Sequence, residues 1–171
     1  MRERGAHVVF LSTCQGLPGY WTDDSAVAVD VARRLPPDVR ARVDVDRRWR
    51  SVPDLRGALG GFDLVVCTRL HAAILALGTG TPVLPVAYEF KTHEVMGQLG
   101  LGDLVVDIAG ISGEGLVGAA GRLLQQLPER RPALAAAVAR VAAEASSTGA
   151  RVQHAVSGHQ PLARVRQPSA R

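Results

Sequence analysis

Two side chains able to hold and move charge stand two residues apart in an otherwise apolar stretch. Leu64–Leu75 reads LVVCTRLHAAIL, and Arg69 and His71 interrupt it. A guanidinium offers a planar fork of donors suited to a carboxylate or a phosphate. An imidazole takes up and releases a proton near neutral pH. Thr68, just before them, can cap a helix, and the free amides of a first helical turn favour an anion. The pattern fits a small anionic ligand with a proton donor beside it. The plainer alternative is a surface ion pair for Arg69 and a carbonyl partner for His71. Lys91 joins the candidates because it is the only lysine in the chain, and its compact ammonium is not interchangeable with a guanidinium. Glu89 is placed to orient Lys91 or to stand as a solvated carboxylate. Gln15 can hydrogen-bond a ligand, and Gly16 lets backbone approach closely. His7, His71, His93, His154 and His159 are dispersed, so no metal site is expected. Cys14 and Cys67 read as small buried thiols rather than a redox pair.

Elements of alternating type must position these residues. Residues 7–13, HVVFLST, form a continuous apolar run, as for a strand buried on both faces. A Gly/Pro loop follows, and Thr22 to Asp24 supply cap candidates for a helix that Pro36 and Pro37 stop. Residues 39–46 alternate strictly and predict an edge strand. Ser51 and Pro53 open a second helix with Leu55, Ala58, Leu59 and Phe62 on one face, closed by Gly60 and Gly61. Strands are expected at 63–68, 82–88 and 103–108. Between them lie a helix with Leu70, Ala73, Ile74 and Leu77 on its stripe and a short helix holding Val95, Met96 and Leu99. A helix at about 113–127 is expected to end before Pro128, and a separate Ala-rich helix to run from about 131 to 147. The β-α alternation predicts an α/β fold: a Rossmann-like parallel sheet of about five strands in the order 2-1-3-4-5, flanked by helices. Residues 1–157 are expected to form one lobe, and 158–171 a disordered basic tail. In such a sheet the chain reverses between strands 1 and 3, and ligands bind beyond the carboxyl ends at that switch point. Both 14–16 and 68–71 lie there.

Composition narrows the function class. With 47% hydrophobic and 21% charged residues, the 171-residue chain can bury a core. The formal charge of +4 does not imply nucleic acid, because the arginines scatter and the 4% of aromatics do not interleave with them. No apolar stretch approaches the roughly 18 residues of a membrane span. No signal peptide is evident, and a cytoplasmic location is expected. The abundance of Arg, Ala, Val and Gly suits a GC-rich bacterial genome.

Residues 68–101, TRLHAAILALGTGTPVLPVAYEFKTHEVMGQLGL, closely resemble the C-terminal signature of the polysaccharide pyruvyl transferase family. The match is carried by Arg69-Leu70-His71, Gly80-Thr81-Pro82, Tyr88-Glu89, Lys91 and Leu99-Gly100-Leu101. Residues 12–24, STCQGLPGYWTDD, are similar to the family's loop after the first strand of this half. The resemblance extends over roughly residues 5–127. It implies a lobe like the C-terminal half of a GT-B fold. It also implies transfer of a pyruvyl group from phosphoenolpyruvate to a sugar of a cell-surface polysaccharide, forming a ketal, with no cofactor beyond the donor. Arg69, Leu70, His71, Lys91, Glu89, Gln15 and Gly16 would then bind substrates, and His71 would be either the general acid or a phosphate ligand. Family members carry an N-terminal lobe that these residues do not include. The expected partners are therefore phosphoenolpyruvate, a sugar acceptor, and a separate N-terminal lobe or a second copy. Two rivals remain open: a nucleotide-sugar glycosyltransferase lobe, and an inactive lobe that binds a partner protein.

Overall fold

A computed structural model describes residues 5–15 and 23–157. The elements in chain order are β1 (Val8–Leu11), α1 (Asp24–Arg33), α2 (Pro37–Arg40), β2 (Val43–Asp46), α3 (Val52–Gly60), β3 (Val65–Cys67), α4 (Leu70–Leu77), β4 (Val83–Ala87), α5 (Phe90–Gln98), β5 (Val106–Asp107) and α6 (Gly113–Ser157). All strand pairs are parallel and helices flank them, giving the expected α/β architecture. The proposed tail, 158–171, lies outside the described residues, as does Gly16.

The core gathers around β4, whose five residues are all buried. Leu55 and Leu59 from α3, Ala73, Ala76 and Leu77 from α4, and Met96 from α5 close on it, with Leu123, Leu127 and Leu134 from α6. The α4 stripe is rotated from the expected one: Ala72 and Ala76 are buried and Ile74 is exposed. Alanines let α4 approach β4 and α3 closely, and a branched side chain on that face would hold them apart.

The strand order departs from a continuous 2-1-3-4-5 sheet. β1 pairs with β2, and β3-β4-β5 form a second ladder. Strand length explains the gap. The amide of Val65 donates to the Pro82 carbonyl, so Val65 and Cys67 turn their backbone groups toward β4. In a three-residue strand that leaves only Val66 facing β1, too little for a ladder. β5 is short for a related reason. Ala87 turns its carbonyl toward β5, where it accepts from the Ile108 amide, so Pro85 faces the same side. Proline has no donor to offer there, and pairing begins only at Val86 and Val106. The expected strand at 103–108 accordingly contracts, and Gly102–Leu104 forms a 3-10 turn.

Two other expectations are corrected. Residues 39–42 are not strand: Pro37 at the first helical position, with φ preset for a helix, starts α2, and β2 begins at Val43. α6 is one continuous helix through Pro128 and Pro132. Its packed face runs Leu116, Ala120, Leu123, Leu127, Leu134, Ala137, Val141, in steps of three and four. Arg130 fills the remaining step and bonds Asp103 at 2.7 Å. Both prolines face solvent, where water can serve the carbonyls they orphan, so the packed stripe holds the helix together across them.

Two signature glycines have backbone roles. Gly80 and Gly100 adopt φ of 80° and 72°, the left-handed region. Each lets the chain reverse after a helix while the next amide reaches back: Thr81 to Ala76 at 3.0 Å and Leu101 to Met96 at 2.8 Å.

Candidate functional site

The carboxyl ends of β1, β2, β3 and β4 carry the candidate residues. Arg69 is the residue at which α4 begins, two positions past β3. Its guanidinium is turned onto Asp24 in the first turn of α1, with Nε donating to Oδ2 at 3.2 Å and Nη2 to Oδ1 at 2.9 Å. This bidentate bond is the main reason its pKa is raised further above the ordinary arginine value, with Cys14 and Tyr88 also close enough to contribute. The Asp24 amide donates in turn to the Cys14 carbonyl at 3.0 Å. Arg69 thus ties together the segments that follow β1 and β3, although those strands share no ladder. Two of its five N–H donors serve Asp24, leaving three for a ligand.

Thr68 does not cap α4. Arg69 occupies that position, in extended backbone and without a side-chain cap bond. The Arg69 carbonyl accepts from the amides of Ala72 and Ala73, so the amides of Leu70 and His71 precede the helical ladder. α5 likewise starts without a side-chain cap, at Glu89. By contrast Asp23 accepts from the Ser25 amide at the start of α1, and Ser51 from the Asp54 amide at the start of α3. His71 is exposed and bonds no described residue. Lys91 Nζ lies 3.9 Å from Glu89 Oε2, both well exposed. Gln15 is turned the other way, and its amide nitrogen donates to the carbonyls of Arg47 and Arg48 at 3.1 Å each. It braces the chain leaving β2. Cys67 is half-buried, and desolvation pushes its thiol up to about 11, which makes it inert near neutral pH.

Asp24, which holds Arg69, was weighed in the sequence only as a cap. Its signal was an acid in the first turn after the strand-1 loop, facing the same edge as Arg69. The cluster at β2 was also read only as scattered charge. There Asp46 accepts from Arg48 at 2.7 Å and from Arg50. The Arg48 hydrogen bond holds its carboxyl well below the usual carboxylate range.

The model of the family described as polysaccharide pyruvyl transferase matches residues 4–89, from before β1 through the Tyr88-Glu89 pair, and so takes in both Asp24 and Arg69-Leu70-His71. The chain belongs to the polysaccharide pyruvyl transferase family. It is also similar to the amylovoran biosynthesis protein AmsJ of Erwinia amylovora, 34% identical over 138 residues, which is 81% of this chain and 33% of that protein. The chain spans about a third of the length of this curated relative. No helix among the described residues is long and apolar enough to cross a membrane.

Proposed function

We propose that this lobe binds phosphoenolpyruvate at the start of α4 and contributes to transfer of its pyruvyl group to a sugar during polysaccharide biosynthesis. One observation carries the reading: Arg69, oriented by Asp24, stands beside the unladdered amides of Leu70 and His71. Phosphoenolpyruvate bears a phosphate and a carboxylate. A guanidinium fork and a helix N-terminus can hold one anionic group, and Lys91 at the start of α5 can meet the other.

The chemistry then follows from the donor. A sugar hydroxyl adds to the enol carbon as a proton is delivered to the methylene carbon, and the proton that this hydroxyl gives up restores the proton donor. The C–O bond to phosphate breaks, and inorganic phosphate leaves. A second hydroxyl of the same sugar closes the ketal, and its proton leaves with the phosphate. His71 is the proposed proton donor, exposed at this edge, with an imidazole whose ring nitrogen can hand a proton to the substrate. Glu89 keeps Lys91 in place or receives an acceptor hydroxyl. A cytoplasmic location goes with this reading, because phosphoenolpyruvate is made there.

The test is calorimetric titration of the chain with phosphoenolpyruvate and, separately, with a nucleotide diphosphate sugar. Binding of the first and not the second supports the proposal. The reverse result points to a glycosyltransferase lobe, and binding of neither points to an inactive one.

A further inference from the structure

The loop after β2 holds a group of features that the donor site does not use. It reads Asp46-Arg47-Arg48-Trp49-Arg50, and one carboxylate against three guanidinium groups leaves two net positive charges. Trp49 is 78% exposed. An indole so exposed contributes little to the fold and leaves an aromatic face open to a ligand. The loop is nonetheless held still. Asp46, 10% exposed, takes Arg48 and Arg50 together, and Gln15 grips the carbonyls of Arg47 and Arg48.

Behind the loop, Arg47, Arg48 and Arg50 line a cleft of about 730 Å³, floored by Val9, Leu11 and Phe62. That volume lies within the roughly 300–1,000 Å³ of small-molecule sites. Arg50 is 14% exposed, and its Nε is a buried donor with no hydrogen-bond partner among the described residues. A buried N–H without an acceptor is costly, and the Arg50 side chain is held at this wall of the cleft by its ion pair with Asp46. Asp44, also lining the cleft, is already paired with His7 at 2.9 Å.

We propose that this loop and cleft form the acceptor subsite and select a sugar bearing an oxyanion, a uronate carboxylate or a sugar phosphate. The ring C–H face stacks on Trp49, and the anionic group reaches Arg47. The inference rests on the reading that the acceptor is a sugar. It adds that the acceptor is acidic and that it enters from the β2 side of the edge.

The experiment titrates the 171-residue chain with a hexuronate-containing oligosaccharide, its neutral hexose counterpart and a hexose phosphate, following saturation transfer to the ligand by NMR. The expected result is tighter binding of one or both acidic ligands than of the neutral one; which of them binds identifies the anion. Trp49→Ala should weaken that binding about 3- to 10-fold and reduce saturation transfer to the ring protons. Arg47→Ala should remove about tenfold of the preference for the acidic ligand. Arg47 is exposed, so its variant tests the idea even if Arg50→Ala fails to fold. Equal binding of acidic and neutral ligands, or a Trp49→Ala variant that binds like the unaltered chain, overturns the proposal. Phosphoenolpyruvate binding by the unaltered chain is measured in parallel. Its failure with the acidic preference intact would sink the donor reading and support the acceptor loop.

Discussion

Arg69 and His71 share one turn of helix, yet their surroundings assign them different kinds of failure. Asp24 holds two of the Arg69 donors, and the Arg69 side chain is 39% exposed, so three donors remain for a ligand. Arg69→Ala should weaken phosphoenolpyruvate binding by roughly 1.5–3 kcal/mol, the range for a hydrogen bond to a charged group. Arg69→Lys should not restore it, because a point ammonium cannot grip Asp24 bidentately and still present a flat fork to an anion. Isothermal titration of the two variants decides this, and recovery of wild-type affinity by the lysine would show that only charge matters. Among the described residues, His71 has no hydrogen-bond partner to hold it. His71→Gln should preserve donor affinity while lowering turnover about 10²- to 10⁴-fold, measured as phosphate release with an acceptor and whatever second lobe the reaction needs. A glutamine variant that turns over normally would make His71 a binding residue and move the general acid elsewhere. The residue types announced this chemistry in the sequence; their partners did not. Nothing in the text of the chain says that an acid 45 positions before Arg69 will meet its guanidinium, because that contact depends on how β1 and β3 come to share an edge.

At the scale of elements, proline marks where local rules and packing disagree. Pro128 and Pro132 predict a break, since each removes a donor and crowds the carbonyl four residues back. The helix continues because Leu123, Leu127, Leu134 and Val138 stay on one face across both. The prolines then act as exposed defects in a helix that tertiary contacts enforce. Pro132→Ala should raise stability by about 1–3 kcal/mol, approaching the intrinsic difference between the two residues in a helix interior. The denaturant midpoint reads the change. A lowered or unchanged midpoint would mean that residues 128–132 are a hinge and not a helix. The same contest explains what else the sequence concealed. Strand existence and the parallel pairing followed from β-α alternation. Strand ends did not, because the three-residue β3 and the donorless Pro85 in β4 limit their ladders through backbone direction, which periodicity does not report.

The molecule as a whole is unevenly supported along its final helix. As far as Val141, α6 lies against the rest of the fold, and the Arg140 guanidinium adds a 2.6 Å bond to the Gln98 carbonyl. From residue 142 to 157 every position is exposed, Val152 and Val156 included. That stretch also carries Ser146, Ser147 and Thr148, whose hydroxyls bond back to carbonyls three or four residues earlier and add nothing to a core. A helix of this length is marginal in water when nothing packs on it. The two parts of α6 should therefore differ sharply in what their loss does. Leu134→Ala, inside the packed part, should cost about 2–5 kcal/mol. Deleting residues 143–171 should change the denaturation midpoint by no more than about 0.5 kcal/mol of stability, as for surface positions, while the far-ultraviolet circular dichroism loses helix signal. If that deletion instead destabilises the fold by more than about 1 kcal/mol, the projecting turns are covered in solution and the exposed stripe of Val152 and Val156 is an interface. Repeating the measurement over a tenfold range of protein concentration then tells a second copy, whose effect must scale with concentration, from contacts within the chain.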